Sequence, residues 1–284
     1  MKILLTGGTG FIGSAVLERL VAESHQVTAI VRSQRSSLKV QDAGATGIIG
    51  DLFDAHWLAS ELRGHDGAIH TAAGSDDKDP ALNDAVLDAV IDAFGGTTKP
   101  FVHTGGIWTY GNNPAITEIS ALDAPPLSQW RTSGEQRLLD SAVKASVVQP
   151  AVVYGHGKGI PAMFAASVEG GAMPLFGGGH QHWTSVHVED LADLYVRALD
   201  RAPGGRTYIG ASGQNPTVRE LGEALAVEVV PESPESTIDR LGGFGEALLL
   251  DQQASGDRAR SELGWQPTRP SLIDQLKAGY SDAA

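Results

Sequence analysis

Thr6-Gly7-Gly8-Thr9-Gly10-Phe11-Ile12-Gly13 follows directly on the apolar run Ile3-Leu4-Leu5 and opens an amphipathic stretch, Phe11–Glu23. A strand, a glycine-rich turn and a helix start in this order form a dinucleotide-binding signature. Gly7 permits the tight turn, Gly10 lets the backbone approach a pyrophosphate, and Gly13 lets the helix pack on the strand. Free amides and the positive dipole end at the helix start hold the phosphate charge. The expected cofactor contacts in this loop are Gly7, Thr9, Gly10, Phe11, Ile12 and Gly13.

Outward from that loop, strands are expected at Lys2–Thr6, Gln26–Val31, Gly47–Gly50, Gly67–Thr71, Pro100–Thr104 and Ser146–Gln149. Their continuous, β-branched apolar character suits strands buried on both faces. Helical patterns lie between them at Phe11–Glu23, Ala55–Leu62, Pro80–Phe94 and Ser128–Ala145. This alternation predicts an α/β fold with a doubly wound parallel sheet, a Rossmann domain over residues 1–150. Such sheets bind ligands beyond the carboxyl ends of their strands, where the winding reverses.

After Pro150 the rhythm changes. Glycines cluster at Gly155–Gly159 and Gly177–Gly179, and residues 231–236 read as a loop. Helices are expected at Asp190–Leu199, Val218–Val227 and Ser271–Tyr280. Residues 151–284 are therefore read as a smaller C-terminal substrate lobe, with a segment near 184–210 returning to the Rossmann domain.

Charge decides the cofactor's expected form. An NAD site usually presents an acid to the ribose 2′-hydroxyl at the end of strand two. Here that end reads Val31-Arg32-Ser33-Gln34-Arg35, without an acid. Arg32, assisted by Ser33 or Arg35, suits a 2′-phosphate, which favours NADP(H) over NAD(H), although NAD(H) stays open and Arg32 can equally be a solvated loop cation. Asp51-Leu52, after strand three, flanks the expected adenine position.

Composition narrows the class. The chain has 284 residues with 21 Lys+Arg against 34 Asp+Glu, a net charge of −13. No basic cluster exists to neutralise nucleic-acid phosphates. A hydrophobic share of 42% supports a sizeable core. Zero cysteines exclude disulfides, thiolate catalysis and cysteine-ligated metals. No run of about 18 apolar residues predicts a membrane span, and the expected setting is cytoplasmic.

With these pieces in order, the chain resembles the extended and atypical short-chain dehydrogenase/reductases, the group often labelled NAD-dependent epimerase/dehydratases. The likeness rests on the glycine loop, Gly50-Asp51-Leu52, Thr71-Ala72-Ala73 and Trp108-Thr109-Tyr110-Gly111. It continues through Gln149-Pro150 with Val153-Tyr154-Gly155, Val186 to Ala192, and Leu263-Gly264-Trp265-Gln266-Pro267. The resemblance implies that Thr71, Ala72 and Ala73 line the ribose and pyrophosphate, that Pro150 and Val153 border the nicotinamide, and that a homodimer forms through the long helices after strands four and five.

The departures carry as much information. Gly106 stands where the family has its serine, and Trp130-Arg131-Thr132-Ser133-Gly134 matches its Tyr-x-x-x-Lys. Neither Trp nor Gly transfers a proton, so the family's tyrosinate mechanism is not available. Trp183 stands where the family's arginine meets the diphosphate of nucleotide sugars, which favours a smaller or more apolar substrate.

Substitutes for the missing chemistry are few. Tyr110 can donate a proton if a nearby cation lowers its pKa, or it is a packing tyrosine. Arg131 can bind an anionic substrate group, or it forms an exposed i,i+4 pair with Glu135. The Thr104 hydroxyl reaches the nicotinamide ribose or a substrate oxygen, or Thr104 completes a strand. His156 and His182, in glycine-rich loops, are candidate substrate contacts with Tyr154. Trp108, Trp130 and Trp183 either line one π-rich pocket or pack separately. His180, His182 and His187 lack the spacing and partners of a zinc site, so no metal is expected.

Three functions follow. The first is an NADP-dependent oxidoreductase acting on a small apolar or aromatic carbonyl, enone or imine, with a non-standard proton donor. The second is a non-redox isomerase, dehydratase or lyase on the same fold. The third is a redox-sensing NADP(H)-binding regulator.

Overall fold

The computed structural model describes residues 1–74, 77–168 and 170–280. Seven strands among them form one parallel sheet: β1 (Lys2–Thr6), β2 (Gln26–Val31), β3 (Thr46–Ile49), β4 (Gly67–His70), β5 (Pro100–Thr104), β6 (Lys144–Pro150) and β7 (Arg206–Gly210). Their order is β7-β6-β5-β4-β1-β2-β3. The winding reverses between β1 and β4, so the ends of those strands open the crevice in which such sheets hold ligands.

The helices that cover the sheet are α1 (Phe11–Ala22), α2 (Gln34–Asp42), α3 (Ala55–Arg63), α4 (Asp79–Phe94), α5 (Pro126–Leu139) and α6 (Val188–Arg201). β1 shows why its residues are apolar without interruption. Ile3 and Leu5 enter the core packed with Val16, Leu20, Leu191 and Tyr195, while Leu4 enters the opposite core with Leu58, Val86 and Leu138. Successive side chains point to opposite faces, and both faces are covered.

A third core, built on Tyr154, Phe164, Met173, Leu175, Trp183 and Leu221, holds the C-terminal lobe. The last strand of the main sheet, β7, pairs with β6 in register from Arg206–Ser146 to Gly210–Pro150. With α6 packed on the β1 face, the lobe's chain thus runs back through the larger sheet before it re-emerges.

Local sequence explains where the elements differ from expectation. α2 carries no strong apolar pattern, burying only Ser37 and Val40, and is started by Ser33, whose hydroxyl accepts from Ser36 N at 3.2 Å. α5 stops at Leu139, short of the expected Ala145, because residues 144–150 are drawn into the sheet as β6. The loop expected at 231–236 contains a helix start: Ser233 caps Pro234–Leu241 with proline in the first turn. The helix expected over Val218–Val227 ends at Ala224, just before Ala226 turns to φ +56°.

Candidate active site

The glycine loop makes a cradle that side chains would fill. A Cβ on Gly13 would stand 2.0 Å from Gly7 O, and one on Gly7 would stand 2.6 Å from Ala72 N, where φ is already +77°. α1 begins at Gly10 with no side-chain cap and no acidic residue in its first turn. The amides that every helix start leaves unpaired are therefore open to an anion. This is the backbone a pyrophosphate requires.

Beside the cradle lies a cleft of about 340 Å³. It brings together Gly7, Thr9, Gly10, Arg32, Asp51, Leu52, Thr71, Ala72 and Ala73 from four separate loops. Each loop is fixed locally. Thr71 Oγ1 donates to Thr6 O at 2.8 Å, and Asp51 Oδ1 accepts from Phe53 N at 3.0 Å. Gly50 lies flat against Trp57, whose ring a Cβ would meet at 1.9 Å. Ser36, Phe53, Gly74, Lys78, Asp79 and Leu82 also line the cleft. Ser36 went unread because α2 itself has so weak a pattern.

Phe11, Ile12 and Gly13 form the first turn of α1 beside the cleft, and Phe11 touches the lobe, within 3.1 Å of where Gly159 would carry a Cβ. Ser33 and Arg35 are exposed and do not line the cleft; Ser33 serves as the α2 cap. Pro150 ends β6 and Val153 lies in the adjoining strand Val152–Gly155, both outside the cleft lining.

At the ends of β4 and β5 a buried polar network replaces the expected phenol. Thr104 Oγ1 donates to His70 O at 2.6 Å and lies 2.7 Å from the Tyr195 hydroxyl, so its oxygen is already committed within the protein. His70 Nδ1 lies 2.6 Å from Thr6 Oγ1, and its ring stacks on His103 at 5.5 Å. Burial drives both imidazoles toward the neutral form, His70 to about 4 and His103 well below its usual value.

Arg131 does not make the exposed pair with Glu135 that helix spacing allows. It turns inward, stacks over the Trp130 ring at 4.3 Å, and Nη1 donates to Thr104 O at 3.3 Å. Glu135 turns elsewhere: Oε2 accepts from Gln149 Nε2 at 3.0 Å, and Gln149 Oε1 accepts from the Tyr110 hydroxyl at 2.6 Å. Burial raises Glu135 to about 7, and burial also raises the Tyr110 phenol. Tyr110 is thus a buried donor to Gln149, and burial with the Glu118 and Glu135 charges outweighs the Arg258 charge that lowers it. Glu135, expected as an exposed i,i+4 partner of Arg131, is instead buried, and nothing in its type or spacing signals that burial. Gly106, by contrast, opens onto free space, with nothing within 4 Å of where its Cβ would be.

The lobe candidates have structural partners. Tyr154 is buried and its hydroxyl donates to Pro270 O at 2.9 Å. Trp183 is 3% exposed, stacks on Phe176 at 5.7 Å and donates from Nε1 to Leu248 O. Trp108 packs edge-on against Phe244, so the three tryptophans lie against separate neighbours. His156 Nε2 pairs with Glu189 at 3.0 Å, and His182 Nδ1 lies 2.8 Å from Asp251 Oδ1. His187 caps α6 by accepting from Glu189 N, while His180 is exposed.

Comparison with known proteins agrees with this geometry. Residues 3–210 match the NAD dependent epimerase/dehydratase family. An uncharacterized protein of Schizosaccharomyces pombe is 31% identical, covering 97% of this chain and 98% of that one. A UDP-glucose 4-epimerase of Mycolicibacterium smegmatis is 30% identical over 94% of each chain. A 2-alkyl-3-oxoalkanoate reductase of Stenotrophomonas maltophilia is 28% identical, over 87% of this chain and 83% of its own. In fold, the chain superposes on the dTDP-glucose 4,6-dehydratase DesIV of Streptomyces venezuelae with a TM-score of 0.78, at 23% identity over 99% and 96% of the two chains.

Proposed function

Because this chain belongs to the NAD dependent epimerase/dehydratase family and is an NAD(P)-dependent enzyme, we propose that it is an NADP-preferring oxidoreductase that reduces a carbonyl, enone or imine in a small apolar or aromatic compound. The observation that carries the cofactor half is Arg32. It lines the cleft at the end of β2 together with Ser36, and that strand end carries no acid. A guanidinium with a neighbouring hydroxyl suits a phosphate, while an NAD ribose is ordinarily held by a carboxylate at this place.

The cradle residues fit a dinucleotide. Gly7, Gly10 and the first-turn amides of α1 would hold the pyrophosphate, Thr71 to Ala73 would border it, and Asp51 and Leu52 would flank the base. When bound, the nicotinamide supplies the hydride. The chain's own part is to orient the substrate and to shield it. Tyr110 and Thr104 are engaged within the fold, so the proton that balances the hydride, at oxygen, carbon or nitrogen according to the substrate, comes from water at the open face of Gly106. Arg131 is the permanent charge at the strand ends, where it donates to Thr104 O.

Two observations support the substrate class. Trp183 stands where the resemblance puts the family's diphosphate-binding arginine, and its ring is buried on Phe164 and Phe176, so this position supplies no cation for a nucleotide sugar. The Stenotrophomonas relative is, by name, a reductase of a 3-oxo compound. A cytoplasmic setting fits the absence of cysteine and the lack, among the described residues, of any helix long and apolar enough to cross a membrane.

The test is oxidation of NADPH against a panel of small ketones, enones and imines. Stoichiometric loss of NADPH with at least one of them supports the reading. Conversion of a substrate without net change in nicotinamide absorbance would assign the protein to the isomerases, dehydratases or lyases instead.

A further inference from the structure

Between the first turns of α4 and α5 lies a second cavity of about 160 Å³, separate from the nucleotide cleft. Its lining includes His103 on β5, Asn83 on α4, and Trp130, Arg131 and Ser133 on α5. The two most informative groups here are unsatisfied in different ways. His103 is 3% exposed, and its Nδ1 has no hydrogen-bond partner. Arg131, largely withdrawn from water, has its one hydrogen bond to a backbone oxygen, Thr104 O, and no carboxylate within 4 Å among the described residues. Glu135 and Asp79 act on its charge from beyond ion-pair distance, and none of its nitrogens is among the buried polar atoms without a partner, so the N–H groups not given to Thr104 O stay accessible and can meet an anion in the cavity that Arg131 lines.

The surrounding charges leave room for that anion. Asp84, on the rim, is already engaged by Arg137 at 3.4 Å, and Arg137 also holds Asp88 at 2.7 Å. Asp79 accepts from Gly74 N at 2.6 Å. Glu135, one turn beyond Arg131, is bound to Gln149. His70, behind His103, lies against Asn83, whose amide favours its protonated form only weakly against burial. Neither histidine carries charge at neutral pH, so Arg131 is the cation of the cavity.

We propose that this cavity is a binding subsite for a small carboxylate, held by the Arg131 guanidinium, with the His103 ring as part of its inner wall. The fork of a guanidinium matches the two oxygens of a carboxylate. The space, equal to about five water volumes at roughly 30 Å³ each, admits an anion of a few heavy atoms. Trp130, stacked on the guanidinium, covers one face and limits water's access to the pair. A substrate or effector carrying a carboxylate would be anchored here, between the two helices that rise from the ends of β4 and β5.

The subsite is independent of the cofactor, and its test uses the full chain without nucleotide. The tryptophan indole ¹⁵N–¹H resonances are followed during titration with sodium acetate and sodium lactate, against sodium chloride and the neutral isostere acetamide. A saturable shift of the Trp130 signal, assigned with Trp130→Phe, is expected with the carboxylates and not with acetamide or chloride. Arg131→Lys, which keeps the charge but loses the fork, weakens binding about tenfold. Ser133→Asp, a substitution at an exposed residue of the rim, weakens it at least fivefold by like-charge repulsion. An equal response to acetamide, a linear response without saturation, or unchanged affinity in Ser133→Asp would overturn the proposal. Each result leaves the NADPH preference to be judged by its own measurement.

Discussion

Thr104 joins two secondary-structure layers through one residue: its hydroxyl lies 2.7 Å from that of Tyr195 on α6, while its carbonyl oxygen accepts from Arg131 on α5. Tyr195 is fully buried and Thr104 is its partner. Removing that partner leaves a buried phenol unsatisfied, which costs about 1–3 kcal/mol. Thr104→Val is therefore expected to lose that much stability in urea unfolding, while Thr104→Ser stays close to the parent. Equal stability of the Val variant would show that the hydroxyl is not structural.

Tyr110 offers a sharper separation of structure from chemistry. Its hydroxyl donates to Gln149 Oε1 at 2.6 Å in the buried chain that ends on Glu135. Tyr110→Phe is expected to cost about 1 kcal/mol of stability and to leave kcat within roughly twofold, because general acid catalysis by that phenol would be worth 10²–10⁴-fold. A hundredfold fall in kcat would return Tyr110 to the role of proton donor.

Acid and base act on this fold through opposite groups. His70 has a folded pKa of about 4, below its ordinary 6.5, so its contribution is complete above pH 6.5 and is lost as pH falls toward 4. Glu135 has a folded pKa of about 7, above its ordinary 4.5, so its contribution is complete below pH 4.5 and is lost as pH rises through 7. Glu135→Gln removes only the second effect. Its stability relative to the parent is expected to improve by about 3 kcal/mol between pH 4.5 and 8, from 1.36 kcal/mol per pKa unit. A difference that does not change with pH would contradict the burial of an ionisable carboxyl there.

The glycine cradle predicts a loss of nucleotide without loss of fold class. Gly13→Ala places a Cβ 2.0 Å from Gly7 O and forces the loop to move. NADPH affinity is expected to fall at least tenfold by fluorescence titration, with the far-ultraviolet dichroism unchanged. Retained affinity would mean that the pyrophosphate is held elsewhere.

How much of this was legible in the chain depends on which physical signal each part carries. Strands buried on both faces announce themselves, and Ile3-Leu4-Leu5 followed by the glycine loop located β1, the turn and α1. α2 announces nothing, since Ser37 and Val40 are its buried positions and Ser33 is its cap. Pro234 reads as a loop residue in the sequence, yet it opens a helix that Ser233 caps. At the site, glycines that must lack a side chain were readable, because their reason is local. The inward turn of Arg131 and the burial of Glu135 were not. Helix spacing puts them one turn apart whether they pair or face different neighbours, and only the packing against β5 and β6 decides between these.

Selection of NADP by Arg32 is read from the ratio of NADH to NADPH dissociation constants in the parent and in Arg32→Ala. The parent is expected to bind NADPH at least tenfold more tightly than NADH, and Arg32→Ala to show a ratio near one through weaker NADPH binding, with NADH unchanged. Equal affinities in the parent, or a preference that survives the substitution, would contradict it.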